Sequence, residues 1–174
     1  MRNLFLIVFI LSIAITAHAQ TPKKELDPTQ PRVPPDKIVA AKAMKPPMKG
    51  TPQVIAEGKA LFMGKATCFV CHGMEGKGDG PLSLTDQVKV GPRNFNNPAF
   101  HKAKTCGEMF WVASNGTKGI HSAKTPSHPQ GSGMLPYLIG TKNELGLAPT
   151  PTVTAEELWK IVLFERSLGG KAEC

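Results

Sequence analysis

Two cysteines and a histidine stand close together as Cys68, Cys71 and His72 in the pentapeptide Cys-Phe-Val-Cys-His. Two thiols three positions apart lie on one helical turn, where each can add to a vinyl group of a porphyrin. The imidazole next to the second thiol then lies beneath the iron and can ligate it. The single motif therefore predicts one covalently attached haem c, with His72 as an iron ligand.

A pair of cysteines at this spacing also occurs in thioredoxin-like redox sites and in zinc sites. A redox pair needs a strand–helix–strand context, and no β-rich run flanks this segment. A zinc site needs a second ligand pair at regular spacing, and the nearby candidates, His101 and Cys106, are not so spaced. Haem attachment is therefore the favoured interpretation, with zinc as its main rival.

The first residues predict export, which is consistent with haem attachment because c-type haem is attached outside the bacterial cytoplasm. Arg2 precedes an apolar run from Leu4 to Ile15, and Ala17-His18-Ala19 resembles a signal-peptidase site. We expect residues 1–19 to be a signal peptide, cleaved before Gln20, and the protein to be periplasmic. An uncleaved anchor is the alternative.

Length and charge suggest one domain preceded by a basic segment. Residues 20–52 are rich in Pro and Lys and are interpreted as an arm or linker; residues 53–174 form the predicted domain. Residues 20–50 carry seven Lys and Arg against three Asp and Glu. This excess indicates either simple solubility or attraction to an acidic partner or an anionic membrane surface. Nucleic acid is a poor candidate partner for an exported chain with a redox centre.

Helix signals frame the predicted domain. Thr51 can cap a helix that begins with Pro52, and Thr154 with Glu157 forms a capping box before a periodic apolar stretch that ends at Gly169. Shorter helices are expected over residues 38–44 and 107–114. No segment alternates long enough to propose a sheet, so we predict a loop-rich all-α fold.

With these residues in hand, residues 54–169 resemble the class I, mono-haem cytochrome c family, in its bacterial periplasmic branch. The resemblance rests on the haem motif and on five other segments in the same order, namely 58–62, 78–81, 91–95, 108–111 and 158–168. It implies three to five helices around one haem, with the first and last helices crossing at Gly58 opposite Phe164.

The resemblance also implies roles for residues outside the motif. The carbonyl of Pro81 would accept the Nδ1–H of His72 and so fix its ring. Arg93 would reach a haem propionate or, alternatively, be an ordinary surface charge. Met134 would be the second iron ligand, although Leu135 stands between it and Pro136, where the family usually has Met directly before Pro. His128 and His121 are the rival ligands, and an open iron is the remaining alternative.

These expectations favour an electron carrier over an enzyme. The carrier would exchange single electrons with redox proteins that present an acidic docking surface, and would meet a membrane only peripherally or through a complex. The alternative is a haem subunit of a larger respiratory oxidoreductase. A haem sensor or small peroxidase is a third possibility and requires a vacant iron position. Cys106 and Cys174 remain after haem attachment; they either form a disulfide or stay as free thiols.

Overall fold

The fold is known from a computed structural model, which describes residue 25 and residues 27–86, 88, 90–117, 133–139 and 151–174. The predicted signal peptide and the rival ligands His121 and His128 lie outside these residues. Among the described helices, none is long and apolar enough to cross a membrane.

The described residues form an all-α fold, as predicted. The helices are α1 (Ile38–Ala43), α2 (Pro52–Met63), α3 (Phe69–His72), α4 (Pro98–Ala103), α5 (Cys106–Asn115) and α6 (Ala155–Leu168), with a 3-10 turn at Pro81–Leu84. Five of these α-helices follow residue 51, which agrees with the expected three to five, and α1 adds a sixth in the preceding arm. In the described part of the chain, β-structure is limited to one isolated bridge between Glu25 and Gly91.

The ends of the long helices follow the local signals. The hydroxyl of Thr51 accepts a hydrogen bond from Val54 N, and both bonds of the Thr154–Glu157 capping box are formed. A second capping box, Thr105 with Glu108, begins α5, and Asn97 caps α4. Each of these last two caps follows a recognised sequence pattern, and neither was among the predicted caps.

Helices α2 and α6 cross closely and form the centre of the frame. A Cβ at Gly58 would overlap the carbonyl oxygen of Lys160 and touch Phe164, so only glycine allows this approach. Next to the crossing, Phe62 is fully buried and packs edge-on against Phe164. The predicted crossing at Gly58 opposite Phe164 is confirmed.

Two further contacts tie the frame together. The rings of Phe110 on α5 and Trp159 on α6 stack with centroids 4.0 Å apart. Cys106 and Cys174 form a disulfide, which joins the start of α5 to the C-terminal residue. The disulfide resolves the alternative that the sequence left open for these two thiols.

The described part of the arm, residue 25 and residues 27–52, lies against the domain. Helix α1 packs on α5, where Gly107 leaves room for the backbone of Ala41 and Met44. Ala41 and Val33 are buried, and Lys104 Nζ donates a hydrogen bond of 2.9 Å to the carbonyl of Thr29. The arm therefore contributes to the packed structure.

Candidate haem-binding site

Helix α3 presents the two thiols and the imidazole, and its position follows from the chain just before it. Thr67 has a positive φ of 49°, and Cys68 N donates to the Phe62 carbonyl. This tight turn brings the motif back beneath α2. Cys68 is buried in the core cluster near Tyr137 and Glu165, whereas Cys71 and His72 line a cavity.

The cavity holds about 870 Å³ of empty space, including the part open to solvent. Most of its lining is apolar and comes from four parts of the chain, namely the arm, the loops, α4 and α5, through Val33, Val88, Phe95, Phe100, Met109, Val112 and Ala113. Such a lining suits a large flat apolar group.

His72 is held ready to bind a metal. Its ring stacks on Phe95 with centroids 4.6 Å apart, and Nδ1 lies 2.9 Å from the carbonyl oxygen of Arg93. A carbonyl can only accept, so Nδ1 carries the proton and Nε2 keeps its lone pair. Burial lowers the pKa of His72 to about 4, against the raising effect of the Arg93 hydrogen bond, so the ring is neutral at physiological pH.

The Arg93 carbonyl takes the role that the sequence analysis gave to Pro81, and this corrects that expectation. Pro81 begins the 3-10 turn and is outside the cavity lining, whereas stacking on Phe95 brings the His72 ring beside residues 91–95. Gly78 permits close approach to the same segment, because a Cβ there would meet the Pro92 carbonyl oxygen.

The side chain of Arg93 also lines the cavity and is only 9% exposed. Its Nη1 lies 2.8 Å from Glu25 Oε1, and its guanidinium carbon lies 5.1 Å from the centre of the Phe100 ring. The surface-charge interpretation of Arg93 is therefore wrong. Its contact with a propionate stays a prediction.

Met134 lines the same cavity as Cys71 and His72. Two hydrogen bonds hold its backbone: Met134 N donates to Thr117 Oγ1 at 3.2 Å, and Thr117 N donates to the Met134 carbonyl at 3.0 Å. Gly116, with a φ of 69°, lets the two segments meet. The extra residue Leu135 therefore does not keep Met134 from the cavity.

Glu165 is a cavity residue that the sequence analysis missed. It lies on α6 seven residues after Leu158, within the apolar stripe of that helix, which was the available signal. Burial raises its pKa to about 8, so the carboxyl is mostly protonated at neutral pH.

Cys68 and Cys71 are unbonded thiols, and the zinc alternative loses its second ligand pair. Burial raises the pKa of both Cys68 and Cys71, so each is a neutral thiol. Cys106 is bonded to Cys174, and His101 Nε2 lies against the Phe95 carbonyl oxygen. In the part of the chain that the structure describes, no group of three or more His, Cys, Asp or Glu could hold a metal ion.

One buried polar atom points to a missing charged partner. Arg32 Nε is buried in the cavity lining, and none of the described residues accepts a hydrogen bond from it. A haem carries two propionate carboxylates on an otherwise apolar ring. The apolar lining, the neutral imidazole, the thiols and this guanidinium therefore fit a haem.

Comparisons with known proteins agree with this site. A family model described as Cytochrome c matches residues 55–168, more than half of the chain. A search of curated proteins found no match.

Among solved structures, the chain is similar to a chain of the Kuenenia stuttgartiensis reducing HAO-like protein complex Kustc0457/Kustc0458, with 20% sequence identity and a TM-score of 0.49. The alignment covers 70% of this chain and 46% of that chain. The thiol pair, His72 and Met134 all lie within the residues that the family model matches, and the chain belongs to the cytochrome c family.

Proposed function

We propose that this protein is a periplasmic electron carrier with one haem c, held by Cys68 and Cys71 and ligated by His72 and Met134. The observation that supports it most directly is the convergence of Cys71, His72 and Met134 on one apolar cavity. When bound, haem supplies the one-electron chemistry of its iron.

The chain's own residues would keep that site rigid through each electron transfer. The Arg93 carbonyl and the Phe95 ring fix the orientation of His72, and Thr117 fixes the backbone of Met134. Ligands that stay in place in both oxidation states need little rearrangement, which favours fast transfer. The apolar lining limits water near the ligands and, with thioether ligation, favours a high potential.

The ligand set is tested with Met134→Ala and with Met74→Ala as the matched control, because Met74 is 68% exposed beside the same motif. We expect wild type and the control to show the far-red sulfur-to-iron band of the oxidised protein. Met134→Ala should lose the band and bind carbon monoxide after reduction. A missing band in wild type, or its survival in Met134→Ala, contradicts the assignment and favours another ligand or an open iron.

Basic residues on the arm support an acidic redox partner. Lys37 and Lys42 are exposed at the start of α1 and on it, and such charges steer association in a salt-dependent way. The double substitution Lys37→Gln with Lys42→Gln should lower the rate of reduction by an anionic partner and flatten its salt dependence. An unchanged salt slope would show that these lysines only solvate the surface.

The complex-subunit alternative is supported by apolar side chains next to Met134 in sequence. Leu135 and Ile139 are 59% and 54% exposed and lie four positions apart, and exposed apolar side chains that form a contiguous patch mark interaction sites. Purification of the tagged protein from the periplasm under mild conditions distinguishes the two. A stable stoichiometric partner favours the subunit, and a monomer that exchanges electrons with a soluble acidic protein favours the carrier.

A further inference from the structure

Arg32, a residue of the arm, lines the cavity, although the arm lies outside the residues that match the cytochrome c family. The family match begins at residue 55, whereas Arg32 and Val33 already line the cavity. Contacts of the residues just before them in the arm hold them in place. The Glu25 carboxylate accepts hydrogen bonds from the Arg93 guanidinium and from the backbone N–H of Asn94. The Thr29 carbonyl accepts a hydrogen bond from the Lys104 ammonium group.

Arg32 is costly to bury as it stands. Its Nε has no acceptor among the described residues, and a buried donor without an acceptor destabilises the folded protein. Burial and then the charge of Arg93 lower the pKa of Arg32 to about 10, and only Glu25 opposes them. Two guanidinium groups therefore share one end of the cavity with a single nearby carboxylate.

The other acidic groups of the cavity do not neutralise this pair. The Glu108 carboxylate accepts from the backbone N–H and the hydroxyl of Thr105 at the start of α5. Glu165 is mostly protonated at neutral pH, since burial raises its pKa to about 8. Lys104, also in the lining, adds a third cation. The cluster therefore suits an additional anion with oxygen acceptors.

We propose that Arg32 binds a propionate of the haem together with Arg93, so that the N-terminal arm is a fixed part of the haem site. The inference rests on the haem attachment proposed above. Arginine is suited to this contact, because its planar donors pair with carboxylates in a fixed geometry. Arg32 would then stabilise the reduced state, since a cation near the iron disfavours its additional positive charge.

The test compares Arg32→Gln with Lys49→Gln, which removes one positive charge from an exposed position on the same arm. Reduction potentials of the purified holoproteins are measured by spectroelectrochemistry, in buffers with and without phosphate. We expect Arg32→Gln to shift the equilibrium constant for reduction by about tenfold toward the oxidised form, which is about 59 mV for one electron. Lys49→Gln should leave the potential close to wild type, and Arg32→Lys should give an intermediate value.

Equal potentials for Arg32→Gln and Lys49→Gln would overturn the inference, while haem content and the far-red band report separately on the proposed function. A difference that appears only with phosphate would also overturn it, because Arg32 would then bind a solution anion. If Arg32→Gln yields no folded holoprotein, the propionate bands of Arg32→Lys and wild type are compared by infrared difference spectroscopy with isotope-labelled propionates. Propionate bands that match wild type in that variant would contradict the contact.

Discussion

The helical frame and the cavity wall are built by different kinds of interaction. The frame, formed by α2, α5 and α6, is held by end caps, a helix crossing and stacked aromatic rings. The wall, formed by the arm, residues 91–95 and residues 133–139, is held mainly by single hydrogen bonds and ion pairs between distant segments. We conclude that the frame carries the stability and that the wall adjusts the haem environment. Changes to the frame should therefore alter unfolding, and changes to the wall should alter spectra and potentials.

The largest loss of stability is expected when the disulfide is removed by the substitutions Cys106→Ala and Cys174→Ala. The bond closes a loop across a sequence separation of 68 residues, so its loss should cost about 4 kcal/mol in the chain-entropy model. Thermal unfolding of the oxidised holoprotein measures this. Wild type whose disulfide is reduced and alkylated, with the haem then reoxidised, is the control and should unfold like the variant, whereas an unchanged unfolding midpoint would show that the frame does not need the bond.

A somewhat smaller effect is expected at the helix crossing. Gly58→Val should destabilise the protein by about 3 kcal/mol, because the new side chain must displace the Lys160 backbone or Phe164. The control, Ala60→Val, lies exposed on the same helix and should cost well under 1 kcal/mol. Denaturant unfolding measures both variants, and equal costs would mean that α2 and α6 can separate without penalty.

Glu165 lies on α6, a helix of the frame, and its side chain also lines the cavity. A substitution at this position therefore tests both parts of the molecule. Its raised pKa means that the folded state binds more protons than the unfolded chain between about pH 4.5 and about pH 8, so stability falls as pH rises through this window. Glu165→Gln should remove that fall and be more stable than wild type by a few kcal/mol at pH 8. Near pH 4 the free energy of unfolding of the variant should equal that of wild type.

The measurement is unfolding at a series of pH values. Glu156→Gln, on the exposed side of the same helix, should keep the wild-type pH dependence. If Glu165→Gln were less stable than wild type at pH 8, the carboxylate would have an ionic partner in the folded protein.

The smallest effect on stability is expected in the wall. Thr117→Val removes the acceptor for Met134 N and should cost about 1 kcal/mol. The far-red band should weaken or shift nonetheless, because the Met134 backbone is held less firmly. Thr152→Val, at an exposed hydroxyl, is the control and should preserve the band. A normal band in Thr117→Val would mean that the remaining bond from Thr117 N is sufficient.

The difference between frame and wall also explains what the sequence could predict. The caps at Thr51 and Thr154 and the haem motif depend on residues within one or two turns, so local patterns identify them. The Thr105 capping box was equally local and was overlooked. Gly58 and Met134 needed the family resemblance, because their partners are far away in the chain.

The arm could not be predicted in this way. Its contacts join Thr29 to Lys104 and Glu25 to Arg93, and no periodicity or spacing connects such pairs. The composition of residues 20–52 correctly indicates an irregular segment but not where it lies. The carbonyl that holds His72 was misassigned for the same reason, since Pro81 and Arg93 are both loop residues and only the packing of Phe95 selects between them.

The long reach of the arm has a consequence for how the protein matures. The bonds from Thr29 to Lys104 and from Glu25 to Arg93 span 75 and 68 residues. Contacts between such distant residues form slowly, because the entropy of closing the chain must first be overcome. We expect the cavity to stay open while α3 and its thiols are already exposed to the porphyrin. We expect this order of folding to leave an interval in which haem can enter and be attached before the arm covers it.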